Sequence, residues 1–71
     1  MQNSQKQESR IVDRLLTQAE VVEWIGMSPA WFEQNRFKGT GIPYVKFNRA
    51  VKYRESDVQR FIEDHMVGAG I

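Results

Sequence analysis

The chain has 71 residues, a formal net charge of +1 and no cysteine. This length allows one small domain that buries only about 60–65% of its unfolded surface. Without cysteine, disulfide frameworks and thiolate zinc sites are excluded, so packing must supply the stability. No apolar run approaches the roughly 18–20 residues that span a bilayer, and the N-terminus is polar rather than signal-like. We therefore expect a cytoplasmic protein with no membrane partner.

A first helix is predicted just after the polar N-terminal residues. Residues 17–20, Thr-Gln-Ala-Glu, form a capping box, in which the first and last side chains bind each other's free backbone amides at a helix start. Gly26 supplies the left-handed residue that commonly ends a helix. Apolar residues recur on one side at helical spacing, namely Ala19, Val22 and Ile25, with Val21 and Trp24 flanking them. The helix is therefore expected to be short and amphipathic.

A second helix is predicted over residues 28–38, close behind the first. Ser28 suits the N-cap and Pro29 the first helical position, so the chain must turn sharply between the two helices. This is the helix-turn-helix arrangement, which presents its second helix outward for insertion into a DNA major groove. Phe32 and either Arg36 or Phe37 are expected to face inward. The outer side would then hold Ala30, Glu33, Gln34 and Lys38.

A basic β-hairpin is predicted over residues 38–54. Two extended runs alternate apolar and polar residues and meet at residues 48–50, so one face is expected to be apolar and the other cationic. Residues 34–54 contain six basic side chains and no acidic one, whereas both flanking segments are net acidic. Such a segment attracts polyanions, above all a nucleic-acid backbone. The alternative is a solvated strand face whose charges discourage edge-to-edge pairing.

A final helix is predicted to begin near residues 55–57, where two carboxylates favour the positive end of a helix. Its apolar stripe is expected to pack on the apolar face of the hairpin and consists of Val58, Phe61, Ile62 and His65. Residues 14–66 are therefore expected to form the domain. The polar residues 1–13 and the glycine-containing residues 67–71 are expected to be flexible.

Four short motifs occur in order between residues 15 and 65. They are LLTQAEVV at 15–22, GMS at 26–28, GTGIPYVKF at 39–47 and VKYRESDV at 51–58. Together they resemble the excisionase-like branch of the MerR-type winged helix-turn-helix proteins, which includes phage excisionases and AlpA-like prophage regulators. The chain departs from many relatives at Asn48, where they have glycine, and at residues 29–31, where they have basic or hydroxyl residues. The base contacts of the family are therefore not carried over to residues 29–31.

The resemblance implies an α+β, mainly α fold in which a helix-turn-helix is followed by a two-stranded basic wing and a final helix. It implies a sequence-specific DNA-binding protein, an excisionase-like recombination directionality factor that binds and helps bend DNA at an attachment site of a phage or mobile element. Double-stranded DNA, an integrase or other recombinase and further copies of the chain are the implied partners. The alternatives are an AlpA-like prophage transcriptional regulator and a protein-interaction module without sequence-specific DNA binding.

Nine polar residues are the candidate DNA contacts. On the second helix, Gln34 suits an adenine edge and Arg36 a guanine or a phosphate, with Asn35 and Lys38 beside them. At the tip of the wing, Arg49 suits a narrow minor groove. The other candidate residues of the wing are Lys46, Asn48, Lys52 and Arg54, which suit the flanking phosphates. Trp31 is expected in the core rather than stacked on a base.

No catalytic or metal site is predicted. His65 is the one histidine of the chain and has no second ligand at a useful spacing. Nothing brings Ser28, Asp57 and His65 together as a triad. The glycines at 39 and 41 lack the strand-loop-helix context of a nucleotide-binding loop. We therefore expect neither an enzyme, nor a cofactor, nor a small-molecule substrate.

Overall fold

The computed structural model describes residues 13–68; residues 1–12 and 69–71, where most of the predicted flexible tails fall, lie outside the described residues. Within the described part, three helices and three strands form an α+β fold, as predicted, with most regular residues in helices. The elements are β1 (Leu15–Thr17), α1 (Gln18–Ile25), α2 (Pro29–Lys38), β2 (Val45–Phe47), β3 (Ala50–Arg54) and α3 (Glu55–Asp64). None of these helices is long and apolar enough to cross a membrane.

The ends of α1 follow the local sequence signals. The amide of Glu20 donates to the Thr17 hydroxyl over 3.1 Å, and the amide of Thr17 donates to the Glu20 carboxylate over 2.8 Å. This confirms the capping box. Gly26 follows the helix in the left-handed conformation, at a φ of 79°, and its amide donates to the carbonyl of Val22. The predicted bounds of α1 are therefore confirmed at both ends.

The buried side of α1 differs in part from the prediction. Val22 and Ile25 pack against the core, as expected, but Ala19 is exposed and Val21 is the residue that is fully buried. The buried stripe is thus rotated toward Val21, while Val22 and Ile25 keep their predicted places. Burying valine removes more apolar area from water than burying alanine, so the fold gains more by turning Val21 inward than Ala19.

The sheet is antiparallel and has three strands in the order β1-β3-β2, which corrects the predicted two-stranded hairpin. β1 pairs with β3 through Leu16 opposite Tyr53, and Leu16 is buried in the core. β1 was not predicted because a strand of three residues is too short to show an alternating pattern. Its last residue, Thr17, is also the N-cap of α1.

The register between β2 and β3 shows that the predicted division into an apolar and a cationic face is wrong. Residues directly opposite each other in an antiparallel pair share a face. Val45 lies opposite Lys52 and Phe47 opposite Ala50, while Lys46 lies opposite Val51. The apolar residues of β2 therefore share a face with Lys52, and Lys46 shares the face that carries Val51 and the buried Tyr53.

The core lies between that face of the sheet and the helices. It is formed by Leu16, Val21, Phe32, Ile42, Tyr53 and Val58. The ring of Phe32 packs edge-on against Tyr53, with centroids 5.7 Å apart, and against Trp31, with centroids 5.0 Å apart. Trp31 is half-buried and also contacts Phe61 of α3 at 5.8 Å. Trp31 thus belongs to the packed interior, as predicted.

The apolar stripe of α3 is confirmed for three of its four members. Val58 is fully buried, and Phe61 and Ile62 pack against the core. His65 follows the helix and is exposed; its ring stacks on Phe61 with centroids 4.0 Å apart, and its Nδ1 lies 2.7 Å from the Phe61 carbonyl oxygen. The stripe therefore ends about one turn before the sequence pattern does.

We expect the free energy of unfolding to decrease as the pH falls below about 4, the ordinary range of carboxyl groups. Hydrogen bonds from the Ser56 hydroxyl and amide lower the pKa of Asp13, and a hydrogen bond from the Thr17 amide lowers the pKa of Glu20. A pKa that folding lowers stabilises the protein above the ordinary pKa. This contribution is lost as the pH falls through the lowered pKa.

The measurement is urea unfolding at a series of acidic to neutral pH values. Glu20→Gln is the matched control because glutamine completes a capping box without titrating. This variant should nearly keep its stability at neutral pH and show a weaker loss in acid. An acid profile identical to that of the unaltered protein would contradict the contribution of Glu20.

Candidate nucleic-acid interface

The helix α2 is held at both ends by its own sequence. The amide of Trp31 donates to the Ser28 hydroxyl over 3.2 Å, and Pro29 occupies the start of the helix, where its missing amide hydrogen costs nothing. Gly39 follows the helix in the left-handed conformation, at a φ of 76°. The predicted helix over residues 28–38 is thus confirmed, with Ser28 as its cap, and only residues 26–28 separate it from α1.

One face of α2 points to solvent. Its residues recur at intervals of three and four positions, as expected for one side of a helix, and all are exposed: Ala30, Glu33, Gln34 and Phe37. Lys38 is exposed at the end of the helix. Phe37 is the most exposed aromatic residue of the described part, at 92%. We call Ala30, Glu33, Gln34 and Phe37 the outer face of α2. Of the four candidates predicted on this helix, Gln34 lies on the outer face and Lys38 lies next to it.

Asn35 is half-buried and makes two hydrogen bonds within the protein. Its Nδ2 donates to the Trp31 carbonyl over 2.8 Å, and the Thr40 hydroxyl donates to its Oδ1 over 2.6 Å. Gly41 allows this close approach: a Cβ atom there would lie 2.8 Å from the Cβ of Asn35, and its φ of +82° also favours glycine. The Asn35 amide therefore holds the end of α2 against the following loop.

Arg36 also points inward, and Phe37 outward, which settles the choice that the sequence left open between these two residues. Nη1 of Arg36 donates to the Gln18 amide oxygen over 2.6 Å and to the Tyr53 hydroxyl over 2.7 Å. Its guanidinium carbon also lies 5.9 Å from the ring centroid of Tyr44. Arg36 thus connects α2 with α1, β3 and the start of the hairpin.

The tip of the hairpin presents its polar residues to solvent. Asn48 adopts a positive φ of 55°, the turn geometry that asparagine tolerates better than most residues. Asn48 and Arg49 form the turn between β2 and β3, and both are exposed. Lys46 is exposed as well, and Lys52 is half-buried beside it in the sheet. Asn48, Arg49 and Lys46 therefore lie at the outer end of the hairpin, whereas Lys52 lies in the central strand and on the opposite face of the sheet from Lys46.

Arg54 is held in an ion pair at the other end of β3. Its Nε and Nη2 donate to the two carboxylate oxygens of Asp57 over 2.8 and 3.1 Å, and its Nε lies 3.8 Å from Asp13. The hydrogen bond to Asp57 raises the pKa of the guanidinium. Both acceptors lie outside the hairpin, at the start of α3 and before β1. The charge of Arg54 is therefore largely balanced within the protein.

The structure thus divides the nine candidates. Asn35, Arg36 and Arg54 are engaged in contacts within the protein. Arg54 is nevertheless exposed at the surface. Of the other six candidates, five are exposed and Lys52 is half-buried; the five are Gln34, Lys38, Lys46, Asn48 and Arg49. Sequence reasoning missed Phe37 as part of this face, although its spacing of one helical turn from Gln34 and two turns from Ala30 could have identified it.

An apolar groove lies on another side of the molecule, between α2 and the end of α3. It has a volume of about 600 Å³ and is lined mainly by Ile25, Met27, Trp31, Ile62 and Met66. Trp31 forms one wall of the groove and belongs to the inner side of α2. The groove is therefore distinct from the outer face of α2.

The described residues were also searched for a metal site, and the chain was compared with known proteins. Among residues 13–68, no three histidine or acidic side chains are grouped so that they could hold a metal ion. No family model, curated protein or solved structure matches the chain.

Proposed function

We propose that the chain is a sequence-specific DNA-binding protein of the winged helix-turn-helix type. The observation that supports this most strongly is that the exposed end of a well-capped helix, residues 34–38, and an exposed cationic hairpin tip belong to one segment, residues 34–54, that has no acidic residue. In this function α2 enters a major groove, and the hairpin, acting as the wing, contacts phosphates and the adjacent minor groove.

The connections of α2 suit insertion into a groove. A helix that reads bases must be held rigidly while its outer face stays free, because a loose helix would lose more conformational entropy on binding. Ser28 and Gly39 define the ends of α2, and Arg36 ties its last turn to α1 and β3. Gln34 remains free on the outer face, where its amide is suited to the N6 and N7 edge of adenine.

The wing suits backbone contact. Arg49 lies at the tip, where a guanidinium can enter a narrow minor groove, and Lys46 and Lys52 lie along the strands behind it. Lys38 at the end of α2 adds a fourth cation. Arg54 and Arg36 are assigned positioning roles instead, because their guanidinium groups are engaged by Asp57 and by Tyr53 and Gln18, respectively.

Within this function we propose an excisionase-like role, supported by the resemblance of four ordered motifs. A unit of this size covers little DNA, so specific binding would need several copies side by side, bending of the duplex, or a recombinase such as an integrase that adds affinity. An AlpA-like transcriptional regulator would use the same surfaces on a promoter. An integrase gene next to the gene of this protein would favour excision.

A protein-interaction module is the second candidate, and the apolar groove beside Trp31 favours it. In that function the groove would take up an apolar side chain of a partner, and the cations of the hairpin would contact its acidic residues. Such a module would bind duplex DNA only through its charge. It would therefore select no sequence.

Selection of bound duplexes from a random pool, followed by gel shifts, tests the proposed function. We expect a consensus sequence to emerge, with weaker binding by Gln34→Ala and by Arg49→Ala. Arg60→Ala removes the same charge from α3 and should leave the affinity nearly unchanged. Salt-sensitive binding without any consensus would instead support the interaction module.

The affinity for the selected duplex should fall steeply with salt. Each phosphate contact adds about −0.9 to the slope of log affinity against log salt, so four cations predict a slope near −3.6 and about 12-fold weaker binding when the salt concentration doubles. The four residues are Lys38, Lys46, Arg49 and Lys52. Arg49→Ala should change the slope to about −2.7. A slope near zero, or one that Arg49→Ala leaves unchanged, would contradict this interface.

A further inference from the structure

The most exposed aromatic side chain of the described part lies on the helix that we assign to the major groove. Phe37 is 92% exposed, and it follows Gln34 by three positions on the outer face of α2. Single exposed apolar residues are common on protein surfaces, so exposure alone assigns no role. The position of Phe37 beside a candidate base-reading residue is the informative observation.

The surroundings of Phe37 favour a polyanion over a protein partner. Lys38 follows it directly, and no acidic residue occurs from position 34 to position 54; the one acidic side chain of the outer face is Glu33, one turn before Phe37. An apolar protein partner would find its larger site at the groove beside Trp31, on the other side of α2. The occupant that suits both the positive charge and an isolated apolar side chain is a DNA groove that contains an apolar group.

The major groove presents one such group, the C5-methyl group of thymine. Guanine is most often read by arginine, but the arginine of this helix, Arg36, is turned inward onto Tyr53 and Gln18. The outer face is left with the amide of Gln34, suited to adenine, the carboxylate of Glu33, suited to the amino group of cytosine, and the apolar side chains of Ala30 and Phe37. Within this face, Gln34 and Phe37 together suit an adenine–thymine pair.

We propose that Phe37 is a specificity-determining residue that contacts the methyl group of a thymine in the major groove. The inference rests on the proposed function, because it requires that α2 enter the groove. It goes further by naming the chemical group that is recognised and the residue that recognises it. The selected site should therefore contain a thymine near the adenine that Gln34 reads.

Uracil substitution tests this contact directly, since uracil pairs with adenine as thymine does and lacks only the methyl group. In the duplex selected by the unaltered protein, each thymine is replaced by uracil in turn, and the affinity is measured by gel shift. At one position we expect about fourfold weaker binding, the effect of about one buried methyl group. Phe37→Ala should bind the thymine and uracil duplexes equally, and Phe37→Leu should keep part of the difference.

Phe47→Ala is the matched control, because Phe47 is an exposed phenylalanine of the hairpin, outside α2. It should keep the full preference for thymine over uracil. Circular dichroism establishes that each variant is folded, which is expected for Phe37 variants because that side chain has little buried contact.

Two results would overturn the inference while leaving the proposed function intact. In one, a consensus is bound but no thymine shows a preference over uracil; in the other, Phe37→Ala keeps the same preference as the unaltered protein. If no duplex sequence is selected at all, the proposed function fails and the inference fails with it. These outcomes are distinguished by whether a consensus is obtained.

Discussion

Phe32→Ala is expected to destabilise the domain by about 3–5 kcal/mol, whereas Phe37→Ala on the same helix should change its stability by less than about 0.5 kcal/mol. Phe32 is 1% exposed and packs against Trp31 and Tyr53, so its truncation leaves a cavity in the centre of the core. Phe37 has almost no neighbours to lose. The two substitutions remove the same atoms five positions apart.

The two variants should differ clearly in the fraction of molecules that is unfolded. A domain of this size has a total stability of about 4–10 kcal/mol, at about 0.05–0.15 kcal/mol per residue. Phe32→Ala is therefore expected to leave a substantial unfolded fraction in water, and Phe37→Ala almost none. Urea unfolding followed by circular dichroism measures both, with tryptophan fluorescence as a second probe, to which Trp31 near the site of change and the more exposed Trp24 contribute. Similar losses for the two variants would contradict the orientation of α2.

Local signals were sufficient to predict the helices. Caps depend on a few neighbouring residues, and those of α1 and α2 lie where the motifs place them, at Thr17, Gly26 and Ser28. The start of α3 near Glu55 follows in the same way from its acidic first turn. These features could be predicted because their physical cause lies within three or four residues of the feature itself.

The faces of the hairpin could not be predicted because they depend on the length of the turn. A turn over residues 48–50 would place Phe47 opposite Val51 and give the expected apolar face. The turn instead contains only Asn48 and Arg49, so that Phe47 lies opposite Ala50 and Lys46 opposite Val51. A change of one residue in the register moves every side chain of one strand to the other face.

The exposure of the candidate contacts was predicted only where it follows from local position. Gln34 and Arg49 are exposed as expected. Arg36 and Arg54 have charge and spacing that equally suit DNA, but their partners, Tyr53 and Asp57, come from packing and from the junction with α3. Sequence patterns do not show which long side chain reaches a buried hydroxyl, because that contact joins positions 17 residues apart.

Arg36→Met is expected to destabilise the domain by about 1–3 kcal/mol, because it leaves the hydroxyl of a buried tyrosine without its donor. Tyr53 is 1% exposed, and its hydroxyl accepts a 2.7 Å hydrogen bond from Arg36. Methionine keeps much of the apolar length of the side chain, so the loss should come mainly from the polar contact. Tyr53→Phe removes the other partner and should cost about 0.5–1.5 kcal/mol.

The double variant should be less destabilised than the sum of the two single variants, because removing both partners leaves no unsatisfied hydroxyl. Its unfolding in urea, compared with that of the single variants, measures this coupling. The salt dependence of DNA binding then separates the two roles considered for Arg36. A positioning residue leaves the salt slope of the folded protein unchanged, while a phosphate contact would reduce its magnitude by about 0.9 when removed. If the losses of the two single variants simply add up in the double variant, and Arg36→Met also reduces the salt slope, Arg36 would be identified as a DNA contact.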